Sequence, residues 1–389
     1  MKHTSTTLLL LASLTSTPIL AQETEQESLE ALKARIEQLE KTLDEKINTL
    51  ADSVENQQST STQSNPVHIG GYGEMKYSAL DEDGEKIREL DFHRFVLFFG
   101  YDFNERIRFV SEFEVEHVVS SASSRGAVEL EQAYLEFDLN NNMQLQTGTL
   151  LMPIGIINET HEPPTFYGVD RPIVETTIIP STWWSNGITF IHKMDNGIRY
   201  DLMISEGLET EDPNAVLGAD PFDLKSGKQK GSFADAFDLA VTGRIRYTGI
   251  AGLEVAAYAQ YQPDLDQSAE DSYADSATLI GGHIIYQIGS VTTRALYARW
   301  DLDGELAEAA NKQVQDGGYV EVSWKPKDNW GLFVRQSAWS QLAEVEAQQT
   351  DFGVNFYPHK DIVFKADYQM QNDDAGNTDG FRLGMGYQF

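Results

Sequence analysis

The chain has 389 residues, 41% of them hydrophobic, a formal net charge of −32 and no cysteine. Its acidic balance is wrong for a nucleic-acid surface, and the missing cysteines exclude disulfides, thiolate metal sites and cysteine nucleophiles. A mean hydropathy of −0.38 argues against helical spans, each of which needs about 20 apolar residues in a row. It does not argue against a membrane barrel, in which half of each strand faces water.

In chain order, Lys2 and His3 precede an apolar segment from Leu8 to Leu20 and the small residue Ala21. Residues 1–21 read as a secretory signal peptide, the mature chain starting near Gln22. Residues 22–56 are expected to form a short coiled coil. Leu29, Leu32, Ile36, Leu39, Leu43 and Leu50 recur at spacings of three and four, with Lys46 and Ser53 as polar exceptions. Glu30, Lys33, Glu37 and Lys41 flank that seam, as heptads require. The competing reading is an amphipathic helix lying on the membrane, for which the polar face is too acidic. Residues 57–66 are rich in Ser, Thr, Gln and Asn and read as a flexible linker.

From Val67 the pattern changes to period-two alternation, and an all-β barrel of sixteen antiparallel strands over residues 67–389 is expected. The expected strands are Val67–Tyr77, Arg88–Tyr101, Glu105–His117, Ala127–Leu139 and Met143–Leu151, then Gly187–Met194, Gly197–Gly207, Asp235–Thr248 and Leu253–Pro263. Ser276–Ile288, Val291–Asp301, Gln315–Trp324, Gly331–Gln341, Gln349–Tyr357, Asp361–Gln371 and Thr378–Phe389 complete the set. Their connections alternate between hairpin turns such as Asn140–Asn142 and Gly289–Ser290 and longer stretches such as Ser78–Ile87, Met152–Asn186 and Leu208–Ala234. Short turns at one end and long loops at the other are the pattern of outer-membrane barrels. An even strand count puts the short turns, and with them the coiled coil, in the periplasm.

Alternation also assigns faces. Ile107, Phe109, Phe113 and Val115 oppose Arg106, Arg108, Glu112, Glu114 and Glu116; Leu239, Val241 and Ile245 oppose Asp238, Thr242, Arg244 and Arg246. A charge on the lipid face near the midplane costs about 2–4 kcal/mol, so the charged row is expected to face the lumen. A barrel of this size is expected to hold an aqueous channel, not a packed core. The basic lumen set is Arg94, Arg106, Arg108, Arg244, Arg246, Arg294, Arg335, Lys365 and Arg382; Glu112, Glu114, Glu116, Glu136, Asp238, Glu254, Glu321 and Asp367 oppose it. Rings of Arg and Lys favour anions. Pairing across the wall would instead give a transverse field with little net selectivity, and both readings stand.

The segment Met152–Asn186 is too apolar for a freely solvated loop, and an ordered loop folded into the lumen fits better. Glu159, His161, Glu162, Asp170, Arg171 and Glu175 would then line or brace a constriction. His161 lacks ligand spacing such as His-Glu-x-x-His, so a solvated or wall-bonded histidine is expected and no metal. Neither a Gly-x-Ser-x-Gly elbow nor a phosphate-cradling glycine loop is present, so neither an enzyme nor a cofactor is expected. The final stretch, Gly380–Phe389, alternates strictly and ends on an aromatic ring. It reads as the closing strand, with Tyr387 and Phe389 at the membrane interface.

Several stretches together resemble one family: Ile69-Gly-Gly-Tyr-Gly-Glu-Met75, Glu89-Leu-Asp-Phe-His-Arg-Phe-Val-Leu-Phe-Phe-Gly100, Ile107–His117, Glu131-Gln-Ala-Tyr-Leu-Glu-Phe137, and the long segment with Pro153-Ile-Gly155 and Asp170-Arg171. With the expected signal peptide and coiled coil, the chain is similar to the phosphate-selective porin O and P family. The resemblance covers Val67 to Phe389, best before Trp184. It implies a homotrimeric sixteen-stranded channel in the outer-membrane lipid, an inward-folded third loop, and passage of small hydrophilic solutes or inorganic anions. It also implies that the barrel-assembly machinery reads the terminal strand. Members that select phosphate use lumen arginines and a basic constriction; here the long loop holds only Arg171 and His161 as basic residues, among several carboxylates. The alternative reading makes the barrel an anchor, with the coiled coil tethering the outer membrane to the cell wall.

Overall fold

The computed structural model describes residues 65–119, 126–210, 222–267, 275–342, 345–373 and 376–389. The expected signal peptide, the coiled coil with Leu29 to Leu50, and the linker up to residue 64 lie outside the described residues. The rest is a closed barrel of sixteen antiparallel strands, each paired with its sequence neighbours. They are β1 Val67–Glu82, β2 Glu85–Asn104, β3 Ile107–Glu116, β4 Val128–Asp138, β5 Met143–Leu151, β6 Trp184–Lys193, β7 Ile198–Glu206 and β8 Leu239–Tyr247. β9 Leu253–Gln262, β10 Ala277–Ile288, β11 Val291–Leu302, β12 Val314–Lys327, β13 Trp330–Leu342, β14 Val345–His359, β15 Ile362–Asp373 and β16 Gly376–Gln388 follow.

β16 closes the wall against β1, with Tyr72 opposite Gln388 and Ser78 opposite Arg382. The seam is carried one residue further by Phe389, whose N–H donates to the Gly71 carbonyl (2.9 Å) and whose carbonyl accepts from the Gly71 N–H (3.0 Å). Removing Phe389 deletes both bonds, each worth about 0.5–1.5 kcal/mol net, at the one joint that abolishes free strand edges. We expect the truncation to lower the yield of folded barrel; a normal heat-modifiable band on unheated gels would contradict this.

The outer face is apolar, with Ile188, Leu202, Val241, Val255, Val334, Phe352 and Leu383 all exposed. Rings gather near the short turns: Tyr101 lies edge-on to Phe103 (5.1 Å) and Trp330 against Phe356 (4.7 Å). Such an apolar band with an aromatic girdle suits a lipid-facing surface.

Several expected loops are strand. Ser78–Ile87 is taken up by β1 and β2, which run on to a two-residue turn at Asp83 and Gly84. Both turn residues have positive φ (49° and 93°), the type I′ geometry for which Asp-Gly is the preferred pair. The described residues of the expected loops Leu342–Ala347 and Asn372–Asn377 are likewise strand, β13 running to Leu342, β14 from Val345, β15 to Asp373 and β16 from Gly376. These extensions carry many charged residues, such as Asp81, Glu82, Glu85 and Lys86, as β-structure projecting past hydrocarbon into water can. The expectation of a wholly aqueous lumen also needs correction. Inward-facing Met203, Tyr258, Leu279, Leu296, Ala298, Trp300, Tyr319 and Trp339 form one apolar cluster with residues of two inward-folded connections. Part of the inner face along β9–β13 is therefore a core, beside the inward ion pairs of Arg294, Glu321 and Arg335.

Candidate functional site

The connection between β5 and β6 folds into the lumen because its own side chains demand cover. Met152, Ile154, Val174, Ile178, Ile179 and Trp183 are buried in the apolar cluster. Two polar side chains hold its shape. The Asn158 amide donates to the Met152 and Trp183 carbonyls and accepts from the Trp183 N–H (2.7 Å), tying the two ends together. The Glu175 carboxylate, fully buried, accepts from the Ile156 and Ile157 N–H groups (both 2.7 Å) and from the Tyr319 hydroxyl (2.6 Å). Glu175 thus braces the loop and is not part of the pore lining. The 3₁₀ turn Pro163–Thr165 packs on the closing strand. Gly386 is needed there, because a Cβ at that position would run into the Pro163 ring, 2.9 Å from its Cγ.

Wall charges meet the loop directly. Arg382 donates to Asp367 (2.8 Å), Asp351 (3.0 Å) and the loop's Asp170 (2.8 Å). Lys76 also reaches Asp170 (2.8 Å). Burial pushes the Asp170 carboxyl up, but Lys76 and Arg382 outweigh it and hold the group well below its ordinary range. Arg335 joins Glu321 (3.2 Å) to Asp351 (3.3 Å) and donates to the Tyr167 carbonyl. Arg294 pairs with Glu321 and donates to the Thr165 carbonyl; Arg244 pairs with Glu159 and Asp201. Lys365 stands 3.5 Å from the centre of the Phe166 ring, and Asp367 accepts from the Val169 N–H (2.6 Å). Arg94 lies between Glu74 and Glu114, and Arg108 between Glu136 and Asp138. His161 bonds to Glu112 on β3.

Two residues of the expected lumen set are placed elsewhere. Arg106 lies in the exposed β2–β3 turn, because the strand begins at Ile107. Asp238 precedes β8, and its N–H donates to the Gln267 side chain. Arg246 is half-buried beside Arg199, Glu254 bonds to His283, and Glu162 heads the 3₁₀ turn with no ion pair among the described residues.

What the loop leaves open is a cavity of about 410 Å³ on the β1–β4 and β14–β16 side. Glu74, Lys76, His93, Arg94, Glu116, Glu129, Asp170, Arg171 and Arg382 line it. So do Lys225, Lys228 and Lys230, which the sequence reading did not single out. These three arrive on the second inward connection, between β7 and β8, anchored by Leu208, Phe222 and Leu224 in the apolar cluster. Their signal was the Lys225-x-x-Lys228-x-Lys230 spacing in a segment treated only as long. The Lys228 ammonium donates to the Thr182 carbonyl, and the Arg171 guanidinium donates to the Thr182 hydroxyl (both 2.8 Å). Two cations therefore converge on one residue. Neither has a carboxylate ion pair among the described residues, whereas Lys230 pairs with Glu129. Burial, then repulsion from Lys230 and Lys225, pushes the Lys228 amine down to about 8.

Residues 68–389 match the family model for phosphate-selective porin O and P. An uncharacterized protein of Aquifex aeolicus (strain VF5) is 30% identical over 366 residues, covering 83% of this chain and 80% of that one. Among solved structures, an anion-selective porin from Comamonas acidovorans superposes with a TM-score of 0.58 at 11% identity, covering 83% of this chain and 99% of that one. The trimer form of OmpT, an outer-membrane protein of Vibrio cholerae, gives 0.54 at 14% identity over 83% and 99%.

Proposed function

The chain belongs to the phosphate-selective porin O and P family, and from that premise we propose that its channel prefers small inorganic anions. A water-filled diffusion channel in the outer membrane follows from the family and from the sixteen-stranded barrel. The preference rests on one observation: Arg171 and Lys228 meet at Thr182 on the cavity wall with no carboxylate ion pair among the described residues. The lumen arginines carry less weight here. Arg244, Arg294, Arg335 and Arg382 are each engaged by acids of the wall or the loop, so much of their charge is already answered. Assembly as a homotrimer, insertion through the barrel-assembly machinery reading Tyr387 and Phe389, and a periplasmic position for the coiled coil complete the proposal.

The test is the reversal potential in planar bilayers under a potassium chloride gradient. A wild-type potential of anion-selective sign is expected; a cation-selective one would overturn the preference. One charge about 4 Å from the ion path is worth about 1 kcal/mol in water, so Lys228→Gln should lower the anion-to-cation permeability ratio about fivefold in dilute salt and less at high salt. The same loss should appear with pH. Because the Lys228 amine titrates near 8, well below an ordinary lysine, raising the pH from 7 to 9 neutralises it and the ratio should fall. The Lys228→Gln channel should lack that step.

A further inference from the structure

We propose that Glu112, Glu131 and His161 form a divalent transition-metal site that pins the inward loop to the barrel wall. The three donors come from β3, β4 and the loop, all are buried, and their ligand atoms lie within 4.8 Å of one another.

The backbone goes out of its way to bring Glu131 there. In the β3–β4 ladder Phe113 faces Leu130 and Glu112 faces Gln132, so Glu131 is the extra residue of a β-bulge. A bulge re-aims a side chain that alternation would send to the other face. Glu131 turns inward beside Gln132, and its Oε2 is buried without a hydrogen-bond partner.

The imidazole tautomer points the same way. His161 Nδ1 lies 3.1 Å from the Asn158 carbonyl oxygen. A carbonyl can only accept, so Nδ1 carries the proton. Nε2 faces Glu112 Oε1 at 3.1 Å and Glu131 Oε2 at 3.6 Å and, freed of its own proton, presents a lone pair between them. Three acceptor atoms so placed need a proton or a metal ion between them. No Lys or Arg ion pair reaches either carboxylate among the described residues. Arg94 goes to Glu74 and Glu114, and Arg171 to Thr182 and the His161 carbonyl. With both carboxylates ionised and the imidazole neutral the group carries a charge of −2, which a divalent ion cancels.

The spacing suits a small metal. Bonds of about 2.0–2.2 Å in tetrahedral geometry separate neighbouring ligands by about 3.4 Å, between the two distances found. Outer partners are in place as well: the Asn158 carbonyl fixes the ring, and the Gln132 amide donates to Glu112 Oε2 (2.6 Å), the usual support for metal-bound His and carboxylate. Imidazole with two carboxylates selects zinc, manganese or iron over calcium or magnesium. A second group, Asp91 with His93 and His117, is a weaker candidate. Both imidazoles already bond to Asp91, and His93 Nε2 accepts from Arg94.

The full-length protein, folded in detergent and stripped with chelator, should take up one zinc ion per chain from zinc chloride and keep it through desalting. Glu131→Gln and Glu112→Gln should each weaken uptake by about 100-fold or more, since even outer-shell changes cost about 10–100-fold; His93→Gln should bind as wild type. Zinc-edge absorption on the wild type should show nitrogen and oxygen neighbours at about 2.0–2.2 Å with a single histidine. Failure of the wild type to retain zinc or manganese would show that only a protonated His161 bridges the acids, and would overturn the site. Wild-type uptake by Glu131→Gln, loss of uptake in His93→Gln, or two histidines in the absorption spectrum would do so equally.

Discussion

Glu175→Ala should widen the channel, raising single-channel conductance and the size of solute admitted. The carboxylate is the acceptor for two consecutive loop N–H groups and for the Tyr319 hydroxyl. Alanine leaves three donors without their acceptor, each costing about 1–3 kcal/mol where buried, and two of them belong to the loop itself. Glu175→Gln separates this cause from loss of charge. The glutamine oxygen can accept from both N–H groups and its amide can donate to Tyr319, so that channel should stay near wild-type conductance. A narrow, quiet channel from the alanine variant would show that the apolar underside of the loop holds it without the brace.

Arg382→Ala should shift the channel toward cations and loosen its fold. One guanidinium answers Asp351, Asp367 and Asp170; without it three carboxylates are left to Arg335, Lys76 and the Val169 N–H. Breaking one partner out of a buried pair costs about 3–5 kcal/mol, and this residue partners three. The checks are the reversal potential, which should move toward potassium, and the temperature at which the barrel band unfolds on unheated gels, which should fall. Arg382→Lys keeps the charge but not the forked geometry, so it should recover selectivity better than stability. An unchanged potential in the alanine variant would mean that ions pass away from this cluster.

The barrel was legible because lipid imposes a period-two rule on every strand, and β5, Met143–Leu151, falls on its expected bounds. The rule stops at the edge of the hydrocarbon. Beyond it both faces meet water, so Glu82, Glu85 and Lys86 read as loop although they continue β1 and β2. The Asp83-Gly84 pair was the available clue. The inward loop was legible from its apolar content, but the surface it covers was not. Leu296, Ala298 and Trp300 face the lumen because a loop from elsewhere in the chain covers them, and local alternation carries no trace of that partner. The site fared likewise. Alternation named Glu112 and the long loop named His161, but only folding brings β3 to the loop, and Glu131 enters through a one-residue bulge that strict alternation does not foresee.

The lopsided filling of the barrel divides its inner surface into two regimes of substitution. Along β9–β13 the apolar inward positions obey the economy of a soluble globule: truncating Trp300 or Leu296 opens a void, and change is tolerated only as volume exchanged for volume. Across the lumen, Lys76, Gln369 and Gln371 line the cavity, where charge sets what passes. The wall on that side can therefore drift toward new solutes at positions such as Gln371, but not at Arg382 or Lys76, whose pairs with Asp170 hold the loop that keeps the channel narrow.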